Sequence, residues 1–142
     1  MSKPVLKLKF DSINVGAEAP VVSHKLTRTD LVKYAGASGD FNPMHSDEFA
    51  AKAAGLPSVF GHGMFSMGLL GRAITDWAGA GNLLNYRVRF TKQTWPDETL
   101  NTKIVVTNKE ATKEGKVITA DISLVNQAGE VKLSGSTRVL AA

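Results

Sequence analysis

The sequence predicts an α+β fold, an antiparallel sheet wrapped around one central apolar helix, in a single domain over residues 1–142. Three observations predict it. The stretch 63–78 carries apolar residues on nearly every side at helical spacing, so this helix must be buried over most of its surface. Four runs of alternating residues follow it with no further helix between them, the pattern of an antiparallel sheet. The length of 142 residues suits one domain, and a folded chain of that size buries about two-thirds of its unfolded surface.

Residues 5–10 alternate (Val5, Leu6, Lys7, Leu8, Lys9, Phe10) and read as a strand, followed by turns at Asp11-Ser12 and Val15-Gly16. Pro20–Leu26 reads as a second short strand. Thr27 or Thr29 caps a helix with Asp30 in its first turn and Leu31, Tyr34 and Ala35 at i, i+3 and i+4. That helix stops near Gly36–Gly39. Ser46 is expected to cap a second short helix through Ala54, with Asp47 and Glu48 at its positive end and Gly55 and Pro57 closing it.

In the helix at 63–78, Met64, Met67, Leu70, Ile74 and Trp77 define one face, while Phe65, Leu69 and Ala73 fill much of the other. Gly68 and Gly71 each cost about 1 kcal/mol relative to Ala in a helix interior, so a close neighbour is expected at both. Gly79-Ala80-Gly81 ends the helix. Tyr86, Val88 and Phe90 then alternate with Arg87, Arg89 and Thr91, setting an apolar face against a basic one. Leu100–Asn108, Val117–Val125 and Val131–Leu140 complete the strands, the last two joined by a turn at Asn126-Gln127-Ala128-Gly129.

Composition excludes several function classes. With 43% hydrophobic and 21% charged residues the chain is an ordinary globular protein, neither disordered nor fibrous. The count of Cys is 0, which removes disulfides, thiolate nucleophiles and Cys-based metal centres and suits a reducing compartment. Seventeen basic against thirteen acidic residues give a net charge of +4. The basic residues are scattered from Lys3 to Arg138, so the reading is a solvated surface and no nucleic-acid partner; attraction to a phosphorylated carrier is the other use of such charge. No secretory signal and no membrane-spanning run are read, and a cytoplasmic location is expected.

Two constellations carry chemistry. Gly39-Asp40-Phe41-Asn42-Pro43-Met44-His45 lies between two helices and gathers a carboxylate, an amide, a proline and an imidazole. Pro43 fixes its own φ and pushes Asn42 toward an extended conformation, so the loop can hold Asp40 and His45 toward one point with little entropy to lose. Histidine is the usual acid–base group near neutral pH, and a neighbouring Asp orients it or shares its proton. The alternative is an Asx-type turn in which Asp40 and Asn42 cap backbone groups and His45 starts the next helix. The second constellation, Gly61-His62-Gly63, stands directly before the apolar helix. The Gly63 N–H there, aimed at a carbonyl, would stabilise an enolate-like oxyanion, with no Cβ to block approach. A plain tight turn with His62 packed inside is the alternative. His24, His45 and His62 lack H-x-x-x-H spacing, so no metal site is expected.

The run Tyr34-Ala35-Gly36-Ala37-Ser38-Gly39-Asp40-Phe41-Asn42-Pro43-Met44-His45 closely resembles the hydratase-2 motif of MaoC-like (R)-specific enoyl-thioester hydratases and dehydratases. Gly61-His62-Gly63-Met64 resembles the start of their central helix, and the likeness extends over essentially the whole chain. Within the family it most resembles the catalytic B subunit of mycobacterial-type (3R)-hydroxyacyl-ACP dehydratases. Met44 departs from the branched aliphatic usual there, which bears on packing and not on chemistry. The resemblance implies a hot-dog fold and reversible loss of water from a (3R)-3-hydroxyacyl thioester. It implies Asp40 and His45 as the catalytic pair, Asn42 as the residue that orders them and Gly63 as the oxyanion donor. Ser66 is a further candidate, for supporting Asp40, and with Met64, Phe41 and His62 it is assigned to the substrate-binding surface. No cofactor is implied, since CoA or phosphopantetheine is part of the substrate. Implied partners are a second hot-dog subunit, identical or related, and an acyl carrier protein, with Arg87 and Arg89 placed to attract the phosphates of a carrier arm. A hot-dog thioesterase and a non-catalytic acyl-binding subunit are the competing readings.

Overall fold

A computed structural model of the chain describes residues 2–142. Its elements are β1 (Ser23–Lys25), α1 (Arg28–Ser38), α2 (Glu48–Ala53), α3 (Gly63–Ala78), β2 (Leu83–Phe90), β3 (Thr99–Thr112), β4 (Gly115–Val125) and β5 (Val131–Ala141). The five strands form one antiparallel sheet in the order β1-β3-β4-β5-β2, with β1 and β2 at its edges. Helix α3 lies across the sheet, and the two are joined by the core. Leu70 and Ile74 from the helix and Leu100, Ile104, Ile118, Leu124 and Leu133 from the strands are all essentially inaccessible. Each such side chain contributes roughly 1.5–3 kcal/mol on leaving water, so this inner layer is what holds α3 in place.

The alternation read in the sequence becomes this layer. In β4, Val117, Ile118, Ala120, Ile122 and Leu124 are buried, and they face partners on β3 and β5 in antiparallel register. Tyr86 of β2 also reaches inward. Its hydroxyl donates to the Met67 carbonyl of α3 at 2.6 Å, and burial pushes the phenol well above its ordinary proton affinity. A Cβ at Gly71 would stand 3.2 Å from the Tyr86 ring, so the expected close approach to the helix occurs there. It does not occur at Gly68, where a Cβ would meet nothing within 4 Å.

The N-terminal third departs from expectation in three places. Residues 5–10 form no strand: Val5 is 81% exposed and Phe10 enters a short 3-10 turn, although Leu8 and Phe10 exchange backbone bonds with Ala142 at the end of β5. Pro20–Leu26 shrinks to three strand residues. Pro20 has no N–H to give, and the Val22 N–H goes to the Thr102 side chain instead of to a backbone carbonyl. Asp47, not Ser46, caps α2, its Oδ1 accepting from the Phe49 and Ala50 N–H groups. Carboxylates and hydroxyls compete for this position, and Ser46 is already used to end the 3-10 turn at Pro43–His45. Thr27 does cap α1, in a reciprocal box with Asp30, and Gly39 ends that helix at φ 75°.

Candidate active site

The segment between α1 and α2 is built by its own side chains. Gly39 turns the chain out of α1 in the left-handed conformation that glycine adopts without strain. Asn42 Oδ1 accepts from the Met44 N–H at 3.1 Å and so caps the 3-10 turn Pro43–His45, while Asp40 Oδ1 accepts from the Asn42 N–H at 3.3 Å. The Asx-type capping is therefore real, and it is also what turns Asp40 and His45 toward each other. Asp40 keeps Oδ2 free, pointing at His45 Nε2 from 3.9 Å. Asp40 is half exposed and His45 is buried, so the pair stands at the boundary between solvent and core.

The tautomer of neutral His45 follows from its partner. Nδ1 lies 2.7 Å from the Phe60 carbonyl oxygen, which can only accept, so Nδ1 carries the hydrogen. Nε2 is left with its lone pair directed toward Asp40. The 3.9 Å gap is too long for a direct hydrogen bond. One water or substrate hydroxyl can bridge it, making two bonds of ordinary length at an angle of about 90°.

His62 completes the cluster from the other motif. Its ring stacks on His45 with centroids 3.9 Å apart and planes at 29°, and its Nε2 bonds the Asp40 carbonyl at 3.1 Å. At 1% exposure it presents nothing to a substrate, so its assignment to the substrate-binding surface is corrected: it packs behind the pair. Burial is the main influence on its proton affinity and lowers it. Asp40, His45 and His62 each offer a donor atom within 4.8 Å of the others. Two of those donors belong to the stacked rings of His45 and His62.

Gly63 opens α3, and its N–H has no protein acceptor among the described residues, as befits the first position of a helix. It borders a cavity of about 320 Å³ lined also by Ser66, Phe90, Thr94 and Leu133. A Cβ at Gly63 would stand 3.1 Å from the Phe90 ring, so Phe90 closes one side of the approach to this N–H. Ser66 is corrected too. It makes no bond to Asp40; its Oγ is buried without a partner among the described residues, beside the Gly63 cavity. Phe41 and Met64 are 70% and 56% exposed and line neither this cavity nor the one between α1 and α3, so within one chain they enclose nothing.

Sequence reasoning missed Phe90, Phe60 and Thr94. Phe60 supplies the carbonyl that fixes His45, and the Thr94 carbonyl accepts the Gly61 N–H at 2.8 Å, anchoring the turn before Gly63. A Cβ at Gly61 would collide with the Thr94 side chain, so that glycine answers a close approach. Backbone carbonyls leave no signature in a sequence, which is why neither anchor was readable.

A family model described as MaoC like domain matches residues 14–128. The chain belongs to the MaoC-like family. Its sheet around α3 is the hot-dog fold, shared with the R-hydratase PhaJ1 from Pseudomonas aeruginosa at a TM-score of 0.81 and 27% identity, over 96% of this chain and 87% of that one. A solved MaoC-like dehydratase overlays with a TM-score of 0.87 and 30% identity over 99% of this chain, but only 44% of its own length is covered. Among curated relatives, 3-hydroxyacyl-thioester dehydratase Y of Mycobacterium tuberculosis is 43% identical over 82 residues, 55% of this chain. The MaoC-like chain spans 28% of that relative's length.

Proposed function

We propose that the chain is a (3R)-3-hydroxyacyl-thioester dehydratase, equally an (R)-specific trans-2-enoyl-thioester hydratase, acting on acyl-CoA or acyl-ACP in fatty acid metabolism. The observation that carries this reading is the geometry of the pair: a histidine whose Nδ1 is tied to a carbonyl and whose Nε2 faces the free Asp40 oxygen across a gap wide enough for one water or hydroxyl to bridge. The family relatives named for dehydration and R-specific hydration support the same chemistry.

In this reading Gly63 N–H receives the thioester carbonyl and stabilises the negative charge that gathers on its oxygen. The C2–H bond breaks and its proton passes to the Asp40–His45 pair. The C3–O bond breaks and the pair returns a proton to the departing hydroxyl, which leaves as water. The pair ends with the proton count with which it began, so the reaction calls for no redox group and no metal. Asn42 orders the loop, Ser66 and Phe90 shape the acyl side of the cavity, and exposed Phe41 and Met64 meet the substrate where a second subunit covers them. That subunit is a second hot-dog unit: the sheet ends in the unpaired edges β1 and β2, and a solved relative chain is more than twice as long. Exposed Arg87 and Arg89 on β2 suit the phosphates of CoA or of a carrier protein's arm, and a cytoplasmic site fits the absence of Cys.

Incubation with crotonyl-CoA tests the reading. Loss of enoyl absorbance without release of free thiol is expected. Thiol release would instead identify a thioesterase, and binding without either change a non-catalytic subunit.

A further inference from the structure

We propose that His62 is a positioning residue for the reactive pair: one buried ring that both hydrogen-bonds the backbone of Asp40 and forms the floor on which His45 stacks. The inference rests on the assignment of Asp40 and His45 made above, and adds the residue that sets the separation between them.

The geometry of a single side chain carries it. His62 lies 22 residues from Asp40 in sequence, at the entry to α3, yet its Nε2 stands 3.1 Å from the Asp40 carbonyl oxygen. A carbonyl only accepts, so Nε2 carries the hydrogen and Nδ1 keeps a bare lone pair. That Nδ1 is buried with no partner among the described residues. An apolar ring would fill the same space without stranding a polar atom, so packing alone does not account for an imidazole here. The bond to Asp40 does. The opposite constraint falls on the face of the ring: His45 lies on it at 3.9 Å, and the Tyr34 ring meets it edge-on at 4.9 Å. Asp40 is thus held by its backbone and His45 by its ring plane, both against one rigid body.

The groups that face His62 are Tyr34 from α1, Asp40 from the loop and His45 from the 3-10 turn. A second cation stacked on His45 would oppose its taking a proton, and burial together with His45 keeps His62 on the neutral side. The burial that lowers its proton affinity thus favours an uncharged floor beneath the pair. His62 also begins α3, its carbonyl accepting from the Phe65 N–H at 3.1 Å, so the same residue links the pair to the helix start that presents Gly63.

His62→Phe keeps a ring for stacking and removes the donor; His62→Gln keeps a donor near the Nε2 position. Both are compared with the parent chain for kcat and KM on crotonyl-CoA, for thermal unfolding, and by ¹⁵N NMR of the imidazoles. Misplacement of a reacting group by about 1 Å costs on the order of 100-fold, so His62→Phe is expected to lose about 10- to 100-fold in kcat with KM changed less than about 3-fold. His62→Gln is expected to recover most of that loss. In the parent, NMR is expected to show His62 neutral and protonated on Nε2. A folded His62→Phe protein with parental kcat, a loss confined to KM, or a His62 protonated on Nδ1 would each overturn the proposal. The tautomer measurement needs neither substrate nor variant, so Nδ1 protonation would overturn the proposal even in a parent chain without hydratase activity, whereas that lack of activity would fall on the functional reading instead.

Discussion

Gly63 occupies the first position of α3, where a helix accepts proline because that N–H makes no intrahelical bond. The preceding residue, His62, has φ −56° and ψ 133°, a conformation compatible with a following proline. Gly63→Pro therefore deletes the proposed oxyanion donor while leaving the helix able to form, and a loss of about 10²–10³ in kcat is expected in a protein with parental circular dichroism. Full activity there would remove Gly63 from the chemistry. Asp40→Asn keeps the acceptor for the Asn42 N–H, so it should fold as the parent does, yet lose about 10²–10⁴ in turnover. The Asp40→Asn/His45→Ala double variant should be scarcely worse than the poorer single one, because the two act as a unit. His62 makes a prediction about pH. Its folded pKa is depressed below 6.5, so its contribution to stability is complete above that value and is lost as pH falls through the folded value. The urea midpoint should drop as pH falls below about 6.5 in the parent, and His62→Phe should lose that part of the decline. Asp40, Asn42 and His45 were legible because they are contiguous and stiffened by Pro43. The orientation of His62 and the isolation of Ser66 were not, because both depend on rings and carbonyls brought in from α1, the Asp40 loop and the 91–94 segment.

At the scale of elements, β5 contains a feature that no alternation pattern announces. Leu124 pairs with Leu133 and Val125 with Val131, so Lys132 is the extra residue of a bulge and turns inward. It is 1% exposed and its Nζ reaches Glu98 at 3.0 Å, Glu130 at 2.7 Å and the Gln93 carbonyl at 2.8 Å. That carbonyl belongs to the segment lining the Gly63 cavity, so a structural ion pair fixes one wall of the site. Lys132→Met leaves the Glu98 carboxylate nearly buried without its cation, and a loss of about 3 kcal/mol, roughly 10 °C in Tm, is expected by calorimetry. Lys132, then Lys92, holds the Glu130 carboxyl down to about 2, so this support is fully present above about pH 4.5 and is lost as pH falls from there through about 2. The long regular elements, α3 and β2 to β5, were readable from period alone, since many residues vote for each. Residues 5–26 were not: the alternation at 5–10 is short and meets only the end of β5 at Ala142, and residues 16–25 lie along β3 with only Ser23–Lys25 in strand geometry because Pro20 and the Thr102 side chain interrupt the ladder.

At the scale of the whole molecule, the sheet leaves two edges open, and Phe41, Phe49, Met64 and Phe90 are among the apolar side chains more than half exposed. Two of them, Phe41 and Met64, flank the motif residues, and Phe90 closes the Gly63 cavity, so part of the uncovered apolar surface lies beside the site. Light scattering at micromolar concentration should give a mass of at least two chains; a monodisperse, fully active single chain would contradict the paired arrangement. The architecture was legible because one all-apolar helix followed by four alternating runs has few ways to bury itself. The identity of the second subunit was not, since one chain carries only its own half of an interface. Whether the Asp40–His45 pair adds water reversibly across the double bond of an enoyl thioester, on one face, is decided by the product itself. Crotonyl-CoA incubated with the chain in D₂O should yield (3R)-3-hydroxybutyryl-CoA carrying deuterium at C2, with the thioester intact, by chiral chromatography and mass spectrometry. A 3S product, or free CoA with no hydroxylated thioester, would contradict it.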